Sequence, residues 1–258
     1  MIERRDLSGG AHVLVSVTLE EAGFLAVFTE RTGGVSSEEF ASLNLSYSSG
    51  DQPRKVAANR SHVIEALGIG PFALGGQVHG ANIAQVGPAK TGSGWDGPDG
   101  VISGTDGLST RSKGLPLAVA TADCVPVILA SGAEGRIAVI HAGWRGVAAG
   151  IIEKAASLFP DRGSVVAVIG PCAGVCHYEV GPDVALAVSA GTGGGAVTQE
   201  RGGSLYLDLS ATISGSLTGL GIEAEETRLC TIHEADRFFS HRRDGPCGRQ
   251  MAIGMRRP

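Results

Sequence analysis

Between residues 114 and 171 lie four runs that are apolar at almost every position: GLPLAVATAD, CVPVILAS, RIAVIHAG and SVVAVIGP. A half-exposed strand alternates apolar and polar residues, so unbroken runs of Val, Ile, Leu and Ala are strands that need cover on both faces. The third and fourth runs are separated by WRGVAAGIIEKAASLF, where Val147, Ile151, Lys154, Ala155 and Leu158 fall at helical spacing. Strand, strand, helix and strand define a mixed α and β chain with a well-covered sheet. The first two runs read either as separate strands or as one long strand bent at Pro126.

Upstream, DQPRKVAANRSHVIEALG predicts a helix ended by Gly68, with Val56, Val63, Ile64 and Leu67 on its apolar face. Arg60 shares that face, so its guanidinium either snorkels outward or pairs inside a cleft. In the C-terminal third, SLYLDL reads as a strand and SATISGSLTGLG as a weak helix, while CTIHEADRFFSHRRDG is polar and carries no clear period. The glycine-rich SAGTGGGAVTQERGGS, residues 189–204, reads as a mobile loop or a degenerate hairpin. No Pro- or Ser-rich linker divides the chain, and residues 1–258 are expected to form one domain.

Composition narrows the function classes. With 43% hydrophobic residues among 258, the chain buries a sizeable core. Its net charge of −5 argues against general binding to nucleic acid or to anionic membranes, which needs a basic surface. MIERRDLSGG carries charges where a signal peptide has its apolar segment, and no run approaches the roughly eighteen apolar residues of a membrane span. A cytoplasmic protein is expected. Its cysteines, Cys124, Cys172, Cys176, Cys230 and Cys247, are odd in number and argue against a disulfide framework, which leaves thiols for chemistry.

Three residues with metal-ligating side chains stand at the ends of predicted strands: His79, Cys124 and His141. Their spacing is not that of a zinc finger. It suits a catalytic zinc, which takes three protein ligands from separate elements and keeps a fourth position open. Zinc held by one thiolate and two imidazoles retains positive charge and lowers the pKa of its water. A Cys–His hydrolase would use the same atoms differently, with Cys124 as nucleophile, His79 or His141 as base and Asp123 as a possible orienting group. Taken singly, each residue has a plainer role: Cys124 as a small core residue, either histidine as a satisfied core or turn residue, Asp123 as a turn cap. Gly143 and Gly146 flank Trp144 and Arg145 where strand passes into helix, so an anion is expected to collect there beside His141.

The ordered motifs TERTGGVS, ASLNLS, NRSHV, QVHGANIAQV, DGVIS, ATADCVPVILA, AVIHAGWRGVAAGII, GPCAGVCHYEVG, YLDLSA and FFSHRRDGPCGRQMA span nearly the whole chain. In them the sequence resembles the laccase-domain family, first called multicopper polyphenol oxidases and associated with purine nucleoside phosphorylase and adenosine deaminase activity. The resemblance implies a mixed α/β (α+β) four-layer sandwich, α/β/β/α, with two mixed sheets. It implies zinc on His79, Cys124 and His141, and a pocket lined by Asn44, Arg60, Gln77 and Arg145. Two positions depart from the usual pattern: Cys172 replaces a small apolar residue, and His177 stands where a second cysteine often follows Cys176.

The leading functional reading is therefore a zinc-dependent enzyme that cleaves adenosine, inosine or guanosine with phosphate and also replaces the 6-amino group of adenosine by water. Arg60 and Arg145 are the expected phosphate ligands, and Asp123 the candidate acid/base or ligand-orienting group. The alternatives are a copper-dependent phenol oxidase on the same ligands and a non-catalytic metal-binding module. Seven scattered histidines do not form the paired clusters that several coppers require.

Overall fold

In the computed structural model, which describes residues 1–258, the apolar runs enter two large mixed sheets packed face to face. From edge to edge the first contains Ile2–Asp6, His12–Ser16, Phe24–Thr29, Gln250–Arg256, Leu117–Thr121, Ala73–Gly76 and Ile102–Ser103. The second contains Glu223–Glu226, Val165–Ile169, Val125–Ser131, Arg136–Ala142, Gly107–Thr110 and Ile83–Gln85. Successive side chains of a strand point to opposite faces, and the cores follow that alternation. Ile128, Ala130, Ile137 and Val139 of the second sheet meet Phe24, Ala26, Phe28 and Val119 of the first. Their neighbours Val127, Leu129, Ala138 and Ile140 face Val147, Ile151, Ile152, Ala155, Ile213 and Leu217 on the helices outside. On the opposite side Val13, Val27, Ala118 and Ile253 pack with Val63 of the helix Pro53–Leu67 and with Leu43, Leu45 and Phe72. Helix, sheet, sheet, helix is the four-layer sandwich expected from the sequence. No helix is long and apolar enough to cross a membrane.

Leu117–Thr121 and Val125–Ser131 are not one bent strand. They lie in different sheets, and Ala122, Asp123 and Cys124 carry the chain from one to the other. The expected helix after His141 is likewise divided, into Trp144–Ala148 and Ile151–Ser157, by Gly150 at φ 79°. This break rotates the apolar stripe onto Ile151, Ile152, Ala155 and Ala156 and leaves Lys154 exposed. Gly68 caps Pro53–Leu67 in the left-handed conformation, and residues 197–208 form a hairpin, Val197–Arg201 with Ser204–Asp208.

At the end of Phe24–Thr29, the fully buried carboxylate of Glu30 joins distant parts of the chain. Arg4 donates to it from Nε and Nη2 at 2.9 and 3.0 Å, and Arg237 from Nη2 at 2.6 Å. Burial pushes the Glu30 carboxyl up, but these donors outweigh it and hold it below the usual range. Both arginines are partly exposed, so Glu30→Gln is expected to cost about 2 kcal/mol at pH 7. A depressed carboxyl stabilises above its unfolded pKa, near ~4.3, and loses that contribution as pH falls through the folded value. Urea unfolding of wild type and variant should therefore give a gap at pH 7 that closes at acid pH. An equal gap at both would rule out the ion pair as its source.

Candidate active site and metal centre

Strand register brings the three candidate ligands together. Arg136–Ala142 pairs with Val125–Ser131 so that His141 faces Pro126 and Ala142 faces Val125, which leaves Cys124 beside Gly143. On the other side, Ile140 faces Gly107, and Asp106 lies next to His141, whose N–H donates to the Asp106 carbonyl at 2.7 Å. His79 arrives on the turn after Ala73–Gly76, and the donor atoms of His79, Cys124 and His141 all lie within 4.8 Å of one another. A Cβ on Gly143 would stand 3.1 Å from His79 Cδ2 and 3.2 Å from Cys124 Sγ, so the ligands close up over a residue without a side chain. Gly146 has a similar reason, since its Cβ would meet the Gly80 carbonyl at 2.7 Å.

Asp106, which nothing in the sequence marks out, holds this arrangement. The fully buried Asp106 carboxylate accepts backbone N–H bonds from Val78, His79 and Gly80 at 3.2, 2.9 and 2.8 Å. His141 Nδ1 lies 2.9 Å from Asp106 Oδ1. An ionised carboxylate only accepts, so His141 Nδ1 carries the proton and Nε2 is left for a metal. The same bonds hold His79 at φ 60°, a left-handed conformation uncommon outside glycine. Burial raises the Asp106 carboxyl, but His141 and the backbone donors outweigh it and lower it overall.

Burial also pushes the Cys124 thiol up, but His141 and His79 overcome this and bring it down to about 6. For His141 burial opposes the cation, while the Cys124 thiolate and Asp106 raise it to about 9. One thiolate, one imidazole fixed in its tautomer and a second imidazole at the cavity mouth form a three-donor set suited to zinc or copper.

These residues open onto a cavity of about 570 Å³ also lined by Arg60, Gln77 and Asp123. Arg60 does not snorkel outward. It is buried on the Pro53–Leu67 helix, where Nε donates to the Leu45 carbonyl and Nη1 to the Gly94 and Trp95 carbonyls. Gln77 exchanges a pair of 2.8 Å bonds with the backbone of Ala120. Asp123, at φ 94°, accepts from Thr231 Oγ1 and from the Arg242 N–H at 2.7 Å each, which uses its two oxygens to hold neighbouring chain. Two expected pocket residues lie elsewhere. Asn44 is fully buried behind the wall, where its side chain bonds Ser49, Asp51 and the backbone of Ser46 and Arg249. Arg145 is exposed and lies over the ring of the adjacent Trp144 at 4.3 Å, outside the cavity lining, while Gly146 and Val147 of the same short helix are the residues packed inward. The lining instead contains Arg242, Arg249 and Tyr178. Burial and the nearby Cys124 push the Tyr178 hydroxyl up to about 12, so it remains a donor. Within SHRRDGPCGRQ, nothing separates the lining arginines from ordinary surface ones; HRRD itself is a signal only once Asp123 is known to be its neighbour.

A mixed sandwich with a Cys–His centre at the sheet crossover defines a class of protein, and the comparisons place it. Residues 25–257 match the family model described as multi-copper polyphenol oxidoreductase laccase, and the chain belongs to this family. A purine nucleoside phosphorylase of Streptomyces coelicolor is 38% identical over 258 residues, covering 96% of this chain and 97% of the relative. Another protein of that name, from Deinococcus radiodurans, is 39% identical over 236 residues, 88% of this chain and 87% of its own. Among solved structures, YlmD from Geobacillus stearothermophilus has a TM-score of 0.87 at 32% identity, covering 95% of this chain and 96% of its own. The hypothetical protein YfiH from Bacillus licheniformis has a TM-score of 0.87 at 30% identity, with 94% and 96% covered.

Asp106→Asn puts an amide N–H₂ among groups that are all donors. Loss of a partner of this kind weakens metal binding about 10- to 100-fold, and that loss is expected here by competition with a chromophoric chelator. Gly143→Ala is expected to lower affinity at least about tenfold by parting His79 from Cys124. Affinities within twofold of wild type in both variants would show that neither contact shapes the centre.

Proposed function

We propose that this chain is a zinc-dependent purine nucleoside phosphorylase that converts adenosine, inosine or guanosine and phosphate to the free base and ribose 1-phosphate. The observation that carries the reading is Arg60: a buried guanidinium at a cavity wall, still cationic although burial lowers it to about 10, with no carboxylate within ion-pair distance. A buried cation without a counter-ion is costly, and an anionic substrate removes the cost. Arg242 and Arg249 line the same space. A phosphate oxygen held by these groups attacks C1′ of the ribose as the bond to purine N9 breaks; the electron pair leaves with the base, which takes up a proton. Gln77 and Tyr178 offer polar atoms to the sugar or base, and Asp123 positions the Arg242 segment. His79, Cys124 and His141 would hold zinc, which would supply Lewis-acidic charge for glycosidic cleavage and for removal of the adenosine amino group. The five cysteines, all free, fit a reducing compartment such as the cytoplasm.

Copper phenol oxidation fits the donor set less well. Reduction of oxygen to water needs four electrons, and no other histidine joins the His79, Cys124 and His141 set: His177 belongs to a separate cluster, and His12, His62 and His241 are occupied by Thr32, the Ser8 carbonyl and the Gly245 carbonyl. A purely structural metal site would close with a fourth protein ligand, whereas this one faces a cavity.

With adenosine, the zinc-loaded protein is expected to form ribose 1-phosphate only when phosphate is present. Arg60→Lys should raise the KM for phosphate about tenfold or more with bound zinc unchanged, because an ammonium, with three donors against five, cannot hold the Leu45, Gly94 and Trp95 carbonyls and also bind an anion. A phosphate KM that does not move removes Arg60 from the anion site. Copper-loaded protein should turn over phenols more slowly than the zinc form turns over adenosine. Phenol oxidation by the copper form, together with no glycosidic cleavage by the zinc form, would reverse the assignment.

A further inference from the structure

A second cluster of metal-ligating side chains lies outside the cavity. Cys176 and His177 occupy the turn after the strand Val165–Ile169, and Cys230 follows Glu223–Glu226, its neighbour in the sheet. The donor atoms of these three residues all lie within 4.8 Å of one another. His177 Nδ1 is 3.1 Å from Cys176 Sγ and 3.9 Å from Cys230 Sγ. Tetrahedral zinc, with Zn–S of about 2.3 Å and Zn–N of about 2.0 Å, separates its ligand atoms by roughly 3.5–3.8 Å. The observed separations bracket that spacing.

The surrounding backbone is built for close approach of the two sulfurs. Cys172 and Cys230 form a backbone bridge, in which the Cys172 N–H donates to the Leu229 carbonyl and the Thr231 N–H to the Cys172 carbonyl. The Gly174 N–H donates to Cys230 Sγ at 3.3 Å and fixes the direction of that side chain. A Cβ on Gly174 would meet Cys230 Cβ at 3.1 Å and Cys176 Sγ at 3.3 Å. A fourth ligand can come from nearby, by a side-chain rotation. His233 stands three residues after Cys230, its exposed ring makes no hydrogen bond, and its centroid is 5.8 Å from that of His177.

We propose that Cys176, His177, Cys230 and His233 bind a second zinc ion, separate from the centre at His79, Cys124 and His141. Two thiolates and two imidazoles neutralise the dication and fill a tetrahedron, which defines a structural site with no position for substrate. Its place in the fold gives it a task. Thr231, next to Cys230, holds Asp123 Oδ1; the Ala173 N–H donates to the Asp123 carbonyl at 2.9 Å; and Tyr178, next to His177, lines the cavity. The second zinc clamps together the two segments that set one wall of the substrate site. Because Cys176 and His177 are exposed, the ion enters from solvent without passing through the cavity.

Metal content of protein prepared under reductant and without chelator tests this, and the result does not depend on what the cavity binds. Wild type is expected to hold two zinc ions per chain, Cys124→Ser one, and Cys176→Ser/Cys230→Ser one. Cobalt added to metal-free Cys124→Ser should give a thiolate-to-cobalt absorption in the near ultraviolet that is absent when Cys176 and Cys230 are also replaced. His177→Ala/His233→Ala, at exposed positions, should weaken this site at least tenfold while circular dichroism stays unchanged. Equal zinc in wild type and the Cys176→Ser/Cys230→Ser variant would overturn the proposal. So would a disulfide between Cys176 and Cys230 that persists in reductant, or a folded Cys124→Ser protein that takes up no cobalt.

Discussion

The geometry of the primary centre depends on one buried carboxylate. Asp106 stands where Gly107–Thr110 begins, beside His141 in the sheet register and beneath the turn that carries His79. An ionised carboxylate in this position is tolerable only because three backbone N–H groups and an imidazole surround it. Those same bonds orient both histidines, since one oxygen contacts His141 Nδ1 while the pair of oxygens holds residues 78–80. Cys124 needs no such device. Its position follows from the chain passing between two sheets within three residues, which places its sulfur at the sheet mouth beside His141.

A second buried polar system shapes the opposite wall. Asn59, one turn before Val63 on the Pro53–Leu67 helix, donates to the Ser42 and Asn44 carbonyls and to Ser36 Oγ, and Asp51 accepts from Ser36 and Asn44. Buried polar groups of this kind are costly unless paired, and here each finds a partner from the segment 35–51. The network fixes Ser46 and Tyr47 at the cavity, where the Tyr47 ring lies 4.4 Å from the Arg60 guanidinium. Asn44 thus acts on the cavity from behind, through the backbone of Ser46 and Arg249.

The sequence made the layers legible because period and burial leave a direct trace: continuous apolar runs became two-faced strands, and the Val56, Val63 stripe became a helix face. It also pointed to His79, Cys124 and His141, since ligand-type residues at strand ends stand out against apolar surroundings. Long-range identity left no such trace. Asp106 in SGTDG looks like any turn aspartate, and Arg145 looks more like a site residue than Arg242 or Arg249 do. Which arginine faces a cavity is decided by helix phase and by the packing of Gly146, neither of which is encoded in the arginine itself. The crossover at 122–124 was similarly hidden, because apolar residues before and after it suit one sheet as well as two.

The two cysteine clusters show how the same side chain is set to different tasks by its surroundings. Cys124 lies between imidazoles and is held down to about 6, so a thiolate faces the cavity before any metal arrives. His141, raised to about 9 beside that thiolate, is an imidazolium that keeps its Nδ1 proton on Asp106 and gives up the second one, on Nε2, to a dication. Cys176 has no such help: burial and the adjacent Cys230 sulfur push it up to about 11. Two thiolates side by side repel, and a cation between the sulfurs is what makes them favourable together. Preorganised charge at the cavity suits a centre that must act on substrate. A pair of thiolates held together by its ion suits a clamp, because its binding energy then goes into holding Leu229–Thr231 against Cys172 rather than into keeping a site open.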